Sequence, residues 1–384
     1  MAPDHHSKNS KQFSPRERFG RILHFQPADR VPLDLDGTSL TSIAPGVLQG
    51  VKNLLGVDGP AESIYQPIDE RVLDALHIDF RRIGRLIGSG DRLVDGNPNR
   101  TIDMWGIERA WTGQYWDIVK SPLKGATTSD LNHYPWPNPS DWIKPDELAG
   151  FKQEARRLWE TSDAVIVAEH PVYGVFELAC WMCGFDDFLW RLAGDETFVH
   201  RLFTILLDLQ KQFIEPYYRA VGDYVHLTTS GDDFGTQTGP FLSPRAFRAF
   251  IRPYFQERIL FTRQFTQAAF WHHSCGSIHE LIPDLIESGV AILNPIQPGA
   301  KFMEPERLKN DFGDKLCFHG GFDTQGVLPF GSKVEIVNEV QRVMSAMKPG
   351  GGYIFSAAHN IQEDVPPENV LTMYQAAYEL GVYE

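Results

Sequence analysis

The chain has 384 residues, 42% of them hydrophobic, and a formal net charge of −14, so it can bury a large core as two domains or as one α/β barrel with extensions. The acidic excess leaves no surplus of Lys and Arg to neutralise phosphates, which excludes general nucleic-acid binding, and no run of eighteen apolar residues marks a membrane span. Four cysteines, Cys180, Cys183, Cys275 and Cys317, are too few for a disulfide framework in so long a chain, and a reducing, cytoplasmic setting is expected.

Residues 1–12 are polar and lack the apolar stretch of a secretory signal. Residues 1–15 read as a disordered tail, and 16–384 as one domain. The first strand is expected over Arg30–Gly37, where Asp34 and Asp36 alternate with apolar residues; they face either a polar barrel mouth or a solvated edge. Residues 37–70 and 112–145, rich in Gly, Pro, Ser and Asp, read as irregular excursions over the domain. Ala164–Ala168 is a buried strand ending at Glu169-His170-Pro171, where Pro171 pushes His170 toward extended geometry. The Cys180-x-x-Cys183 pair has no partner pair to complete a zinc knuckle. Its neighbours Phe176, Leu178 and Phe188 place it in a helix packed in the core.

Beyond this point helices and strands alternate. Val199–Arg219 carries an apolar stripe at helical spacing, and Tyr224–Thr228 is a strand running toward Gly231-Asp232-Asp233. Ser243-Pro244 supplies an N-cap and a proline at the first helical position, and Pro253 interrupts that helix. Ala268–Trp271 is a strand leading to His272-His273-Ser274-Cys275-Gly276, then a helix ends at Gly289. Val290–Leu293, Leu316–Phe318 and Tyr353–Phe355 are further strands. Each precedes a helix, over Pro305–Asp311, Val334–Met347 and Pro367–Leu380. Repeated βα units imply parallel strands covered by helices. Polar residues follow strand after strand: Glu169 and His170, Asp232 and Asp233, His273 and Cys275, Asn294, His319 and Asp323, His359 and Asn360. Chemistry gathered at the C-terminal ends of many strands favours a (β/α)8 TIM barrel over an open sheet with one switch point.

His273-x-Cys275 is the strongest chemical signal. A thiolate beside imidazole suits a borderline metal such as zinc, and His359 at another strand exit is the candidate third ligand. Of the neighbours His272 and His273 one points inward and one outward, and spacing leaves open which. Asp232-Asp233 reads equally as a turn or cap and as a pocket carboxylate able to act as base, anchor or ligand. Glu169 reads as a pocket carboxylate or half of a buried ion pair.

From about Arg30 onward the chain resembles the uroporphyrinogen decarboxylase-like superfamily. The resemblance is carried by Gly231-Asp232-Asp233-Phe234-Gly235-Thr236-Gln237, His273-Ser274-Cys275-Gly276, His319-Gly320-Gly321-Phe322-Asp323 and Ala358-His359-Asn360-Ile361-Gln362. It implies a single (β/α)8 barrel and one of two chemistries. Cofactor-free uroporphyrinogen decarboxylases hold substrate carboxylates with an arginine-rich N-terminal segment, where this chain has Asp34 and Asp36. Zinc-dependent, corrinoid-linked methyltransferases bind zinc with a His-x-Cys and a later Cys; His273 and Cys275 match the first two, and His359 stands at the third place.

The expected activity is therefore a zinc-dependent methyltransferase or demethylase with His273, Cys275 and His359 on the metal. Asp233, Glu169 and His359 are its candidate catalytic residues. Asp34, Asp36, His170, Asn294, His319, Asp323 and Asn360 are its candidate substrate-binding residues. A corrinoid, if used, would arrive on a separate protein, and a homodimer is a further expected association; neither nucleic acid nor a membrane is an expected partner. The alternatives are a decarboxylase or lyase on a small non-porphyrin acid, with His359 or Asp233 as proton donor, and a metal-free small-molecule binder.

Overall fold

A computed structural model describes residues 12–87, 92–113 and 116–383. Its strands are β1 (Phe80–Ile83), β2 (Arg92–Val94), β3 (Asn97–Ile102), β4 (Glu108–Trp111), β5 (Trp116–Lys120), β6 (Val165–Ala168), β7 (Leu227–Gly231), β8 (Ala269–His273), β9 (Ile292–Ile296), β10 (Cys317–Phe322) and β11 (Tyr353–Ala357). Seven of them form one parallel sheet in the order β1-β6-β7-β8-β9-β10-β11. The segment around Leu33 closes it. Asp34 N–H bonds Phe355 O on one side and Asp79 N–H bonds Leu33 O on the other, both at 2.9 Å. The eighth stave is thus shorter than the strand expected over Arg30–Gly37. Pro32 has no N–H to give, and Asp36 turns the chain at φ 67°.

The barrel's interior is layered by the two-residue period of its strands. Phe80, Val165, Val167, Leu227, Trp271, Ile292, Cys317 and Ile354 pack together inside, and Phe19 and Ile22 join them. Those two project from the N-terminal helix Pro15–Leu23, which Ser14 caps, so this helix plugs one end of the barrel. Residues 1–11 of the tail expected over 1–15 lie outside the described residues; Phe13 is hydrogen-bonded and Ser14 caps the helix. Two residues past Trp271, Ile292 and Cys317 come His273, Asn294 and His319, one polar step nearer the open end.

Strands β9 and β10 run further than their sequence suggests. Asn294-Pro295 and His319-Gly320-Gly321 look like turn signals, yet both lie within strands β9 and β10. The strand expected over Tyr224–Thr228 is displaced and spans Leu227–Gly231. The excursions are also less irregular than expected: helix Pro45–Leu55 fills part of the first, and β2–β5 form a four-stranded antiparallel sheet that runs into the second. At Pro253 the expected interruption takes the form of a π-helical turn over Phe247–Ile251 before helix Arg252–Thr262. Cys180 and Cys183 are free and fully buried in helix Val175–Cys183, as expected of core residues.

His226, just before β7, shows how burial sets a titration. Its Nδ1 accepts the Ile166 N–H at 3.0 Å and its ring stacks on Trp159. Burial, reinforced by the Arg16 charge, lowers its pKa from 6.5 to about 4. Between those values the unfolded chain binds more protons than the folded one, so stability falls as pH drops through that window and is unaffected above it. The stability gap between wild type and His226→Asn should therefore narrow by about 2 kcal/mol from pH 7 to pH 5. Denaturant unfolding at the two pH values measures it, and a gap independent of pH would contradict this assignment.

Candidate metal centre and cavity

Strand β8 alternates its faces, and this decides between the two adjacent histidines. His272 points out of the barrel, where Ser230 Oγ lies 2.8 Å from its Nδ1 and Phe234 and Phe255 enclose its ring. His273 points in. Its Nε2 lies 3.2 Å from Cys275 Sγ, and its ring meets that of His359 with centroids 5.5 Å apart. One ligand atom from each of His273, Cys275 and His359 falls in a set whose members are all within 4.8 Å of one another. A tetrahedral zinc site holds such atoms about 3.5 Å apart at bond lengths of roughly 2.0–2.3 Å. The residue types and their convergence therefore fit zinc after small side-chain adjustments.

The loop after β8 is braced so that Cys275 stays beside His273. Gly276 adopts φ 83°, and a Cβ there would meet Gly235 C and O at 2.5 and 2.6 Å. Only glycine suits that turn at that approach. Ser277 N–H bonds Thr236 O at 2.7 Å, Phe234 N–H bonds Ser274 Oγ at 2.9 Å and Gly276 N–H bonds Gln297 Oε1 at 2.8 Å.

Electrostatics suit neutral imidazoles here. Burial, with the nearby His273, lowers the His359 pKa to about 4, and burial lowers that of His273 as well. Burial, together with the Asp233 carboxylate, pushes the Cys275 thiol well above its usual range. The thiolate form would thus need a cation beside it.

The two aspartates divide as different environments dictate. Asp233 Oδ1 accepts the Cys275 N–H at 2.7 Å and stands 3.7 Å from His273 Nε2, so it faces the metal ligands. Asp232 is buried and accepts the N–H groups of Phe176 and Glu177 at 3.2 and 2.7 Å. It caps the start of helix Val175–Cys183, which follows the neighbouring strand β6. Gly174 permits this, since a Cβ there would sit 2.1 Å from Asp232 Cγ.

The other candidates fall into three groups. Asp323, Asn360 and His359 line a cavity of about 710 Å³ together with Cys275, Gln237, Gln297, Gln325, Gln362 and Asp364. Asp323 is also occupied structurally, accepting the N–H groups of Gln325, Gly326 and Val327. Asp34, His319 and Asn294 lie behind His273 in an unbroken hydrogen-bond chain, not on that cavity. Asp36, Glu169 and His170 form a buried ion network. Arg82 stands 2.9 Å from Asp36 Oδ1 and 3.3 Å from Glu169 Oε2, and His170 Nδ1 lies 2.6 Å from Glu169 Oε1. The Asp36–Arg82 contact is an ion pair off the hydrogen-bonding direction. Burial works against the Glu169 charge, but His170 and Arg82 outweigh it and hold its pKa far below the usual range. Ser39 N–H also bonds Glu169 Oε2 at 2.5 Å. Glu169 is thereby engaged as an ion-pair partner, the second of the two readings its sequence allows. Asp36 and His170 are buried in the same network and do not line that cavity.

Glu177 was not expected. It sits in the first turn of helix Val175–Cys183, and burial plus the charges of Asp233 and Asp232 raise its pKa strongly. Its signal in the sequence is weak: an acid three residues after Gly174, between Phe176 and Leu178.

Comparison with known proteins agrees with this architecture. The family described as "Uroporphyrinogen decarboxylase (URO-D)" matches residues 161–380, more than half of the chain. The uroporphyrinogen decarboxylase of Sodalis glossinidius is 34% identical over 69 residues, covering 18% of this chain and 19% of that protein. That of Legionella pneumophila is 38% identical over 69 residues, again 18% and 19%. The aligned stretch thus spans about a fifth of these relatives. Among solved structures, a methyltransferase from Methanosarcina mazei superposes with a TM-score of 0.63 at 15% identity, covering 96% of this chain and 99% of that one. It shares the fold.

Proposed function

The chain belongs to the uroporphyrinogen decarboxylase family, and from that premise we propose that it is a zinc-dependent methyltransferase or demethylase acting on a small molecule. The observation that carries this reading is the convergence of His273, Cys275 and His359, the last two of which line the cavity. Zinc held there would supply Lewis acidity, lowering the pKa of a bound thiol or hydroxyl or polarising a methylated heteroatom. Asp233, with one oxygen held by Cys275 N–H, places a negative charge beside the ligand set. Gln237, Gln325 and Gln362 offer amide donors and acceptors to a polar substrate. The fold likeness to a methyltransferase supports this reading, and the corrinoid protein as methyl partner remains part of the proposal.

The cavity argues against the family's porphyrin substrate. Among the described residues its lining carries Asp323 and Asp364 and neither Lys nor Arg, so a polycarboxylate would meet like charge. Asp34 and Asp36 add nothing to this repulsion, being engaged by His319 and Arg82. The test is methyl transfer from small methylated thiols, ethers and amines to free cob(I)alamin by the zinc-loaded protein, run beside uroporphyrinogen. Turnover of a methylated compound without coproporphyrinogen formation is expected; efficient porphyrinogen decarboxylation would overturn the proposal.

A further inference from the structure

We infer that Asp34, His319 and Asn294 are positioning residues that select the ligating tautomer of His273. The inference rests on the reading of His273 as a metal ligand, but the hydrogen bonds that carry it are independent of methyl transfer. Asp34 Oδ1 accepts the Gly37 N–H at 2.9 Å, and Asp34 Oδ2 lies 2.9 Å from His319 Nε2. His319 Nδ1 lies 2.8 Å from Asn294 Nδ2, and Asn294 Oδ1 lies 2.6 Å from His273 Nδ1. All four side chains are buried.

The chain has one consistent direction. A carboxylate only accepts, so His319 Nε2 carries the proton that faces Asp34. Asn294 Nδ2 faces His319 Nδ1, so the Asn294 NH2 donates and that ring nitrogen accepts. This leaves the Asn294 carbonyl toward His273, which therefore holds its proton on Nδ1. His273 Nε2 is left with a free lone pair, and that is the nitrogen 3.2 Å from Cys275 Sγ. A carboxylate three hydrogen bonds away thus fixes which nitrogen of His273 can bind a cation. Trp271 keeps the rings in place, lying edge-on to His319 and tilted against His273 at 5.9 and 6.0 Å.

The test is Asp34→Asn. An amide at position 34 can keep the Gly37 bond with its oxygen while its NH2 faces His319 Nε2. Each partner down the chain then reverses, and His273 becomes protonated on Nε2. In full-length, metal-free protein with nitrogen-15 histidine labels, His273 of wild type should show the Nδ1–H tautomer and the variant should show Nε2–H. Zinc affinity, measured against a chromophoric chelator, should fall roughly 10- to 100-fold. Asn294→Leu, which cuts the chain, should leave His273 as a mixture of tautomers and weaken zinc similarly. If both variants keep the wild-type tautomer, the inference is wrong, whatever the melting temperature does. Failure of the enzymatic reading would appear differently, as a wild-type protein with the Nδ1–H tautomer that takes up no zinc.

Discussion

Cys275→Ser is expected to remove most bound zinc, taking wild-type occupancy from about one ion per chain to a small fraction of that. The loss should be large because three protein atoms define the site, and a neutral hydroxyl replaces its single anionic sulfur. The fold should survive. Cys275 sits on a loop braced by backbone and Gln297 bonds, while the packed interior begins two residues below His273 at Trp271. Unfolding midpoints should therefore agree closely between wild type and variant when both are metal-free. Cys180→Ser provides the contrast: its thiol is buried among core residues, so zinc content should be unchanged while stability falls. Elemental analysis of the three proteins reads this out. Wild-type zinc content in Cys275→Ser, or none in the wild type, would remove the metal from the site.

How much of this was visible in the sequence depends on the range of the interaction. His273-x-Cys275 was legible because both ligands sit on one strand exit. The alternation of βα units was legible because burial imposes a period. The choice of His273 over His272 required the phase of β8 in the barrel, which Trp271 sets by pointing inward. Asp34, Asn294 and His319 each stood out as polar residues near strand ends, but their linkage is a product of register between strands remote in sequence. Nothing local says that they face one another. The pairing of Glu169 and Asp36 with Arg82 is hidden for the same reason: Arg82 lies on β1 and no spacing rule links the three. The antiparallel sheet β2–β5 went unseen because its strands are mostly exposed and lack the apolar alternation that marks a half-buried strand.

The aspartate pair after β7 gives the sharpest contrast between neighbouring residues. Asp233→Asn keeps an oxygen for the Cys275 N–H, so the loop and its geometry should persist with little change in stability. What it removes is the negative charge 3.7 Å from His273 Nε2. Charge beside a reacting centre in a sheltered cavity acts with little solvent screening, so turnover in the methyl-transfer assay should fall about 100-fold. Asp232→Ala should do the reverse. It strips the acceptor from two backbone N–H groups at the start of helix Val175–Cys183, where Gly174 offers no side-chain cap of its own. Burial raises the Asp232 pKa to about 7, so its value to the fold lies in those two bonds more than in a full charge. Losing them should cost about 2–3 kcal/mol, read as a lower denaturant midpoint. Metal occupancy should stay near wild type, because Asp232 points away from the ligands. An Asp232→Ala protein of unaltered stability, or an Asp233→Asn protein of unaltered turnover, would show that the two carboxylates do not divide the work between scaffold and site.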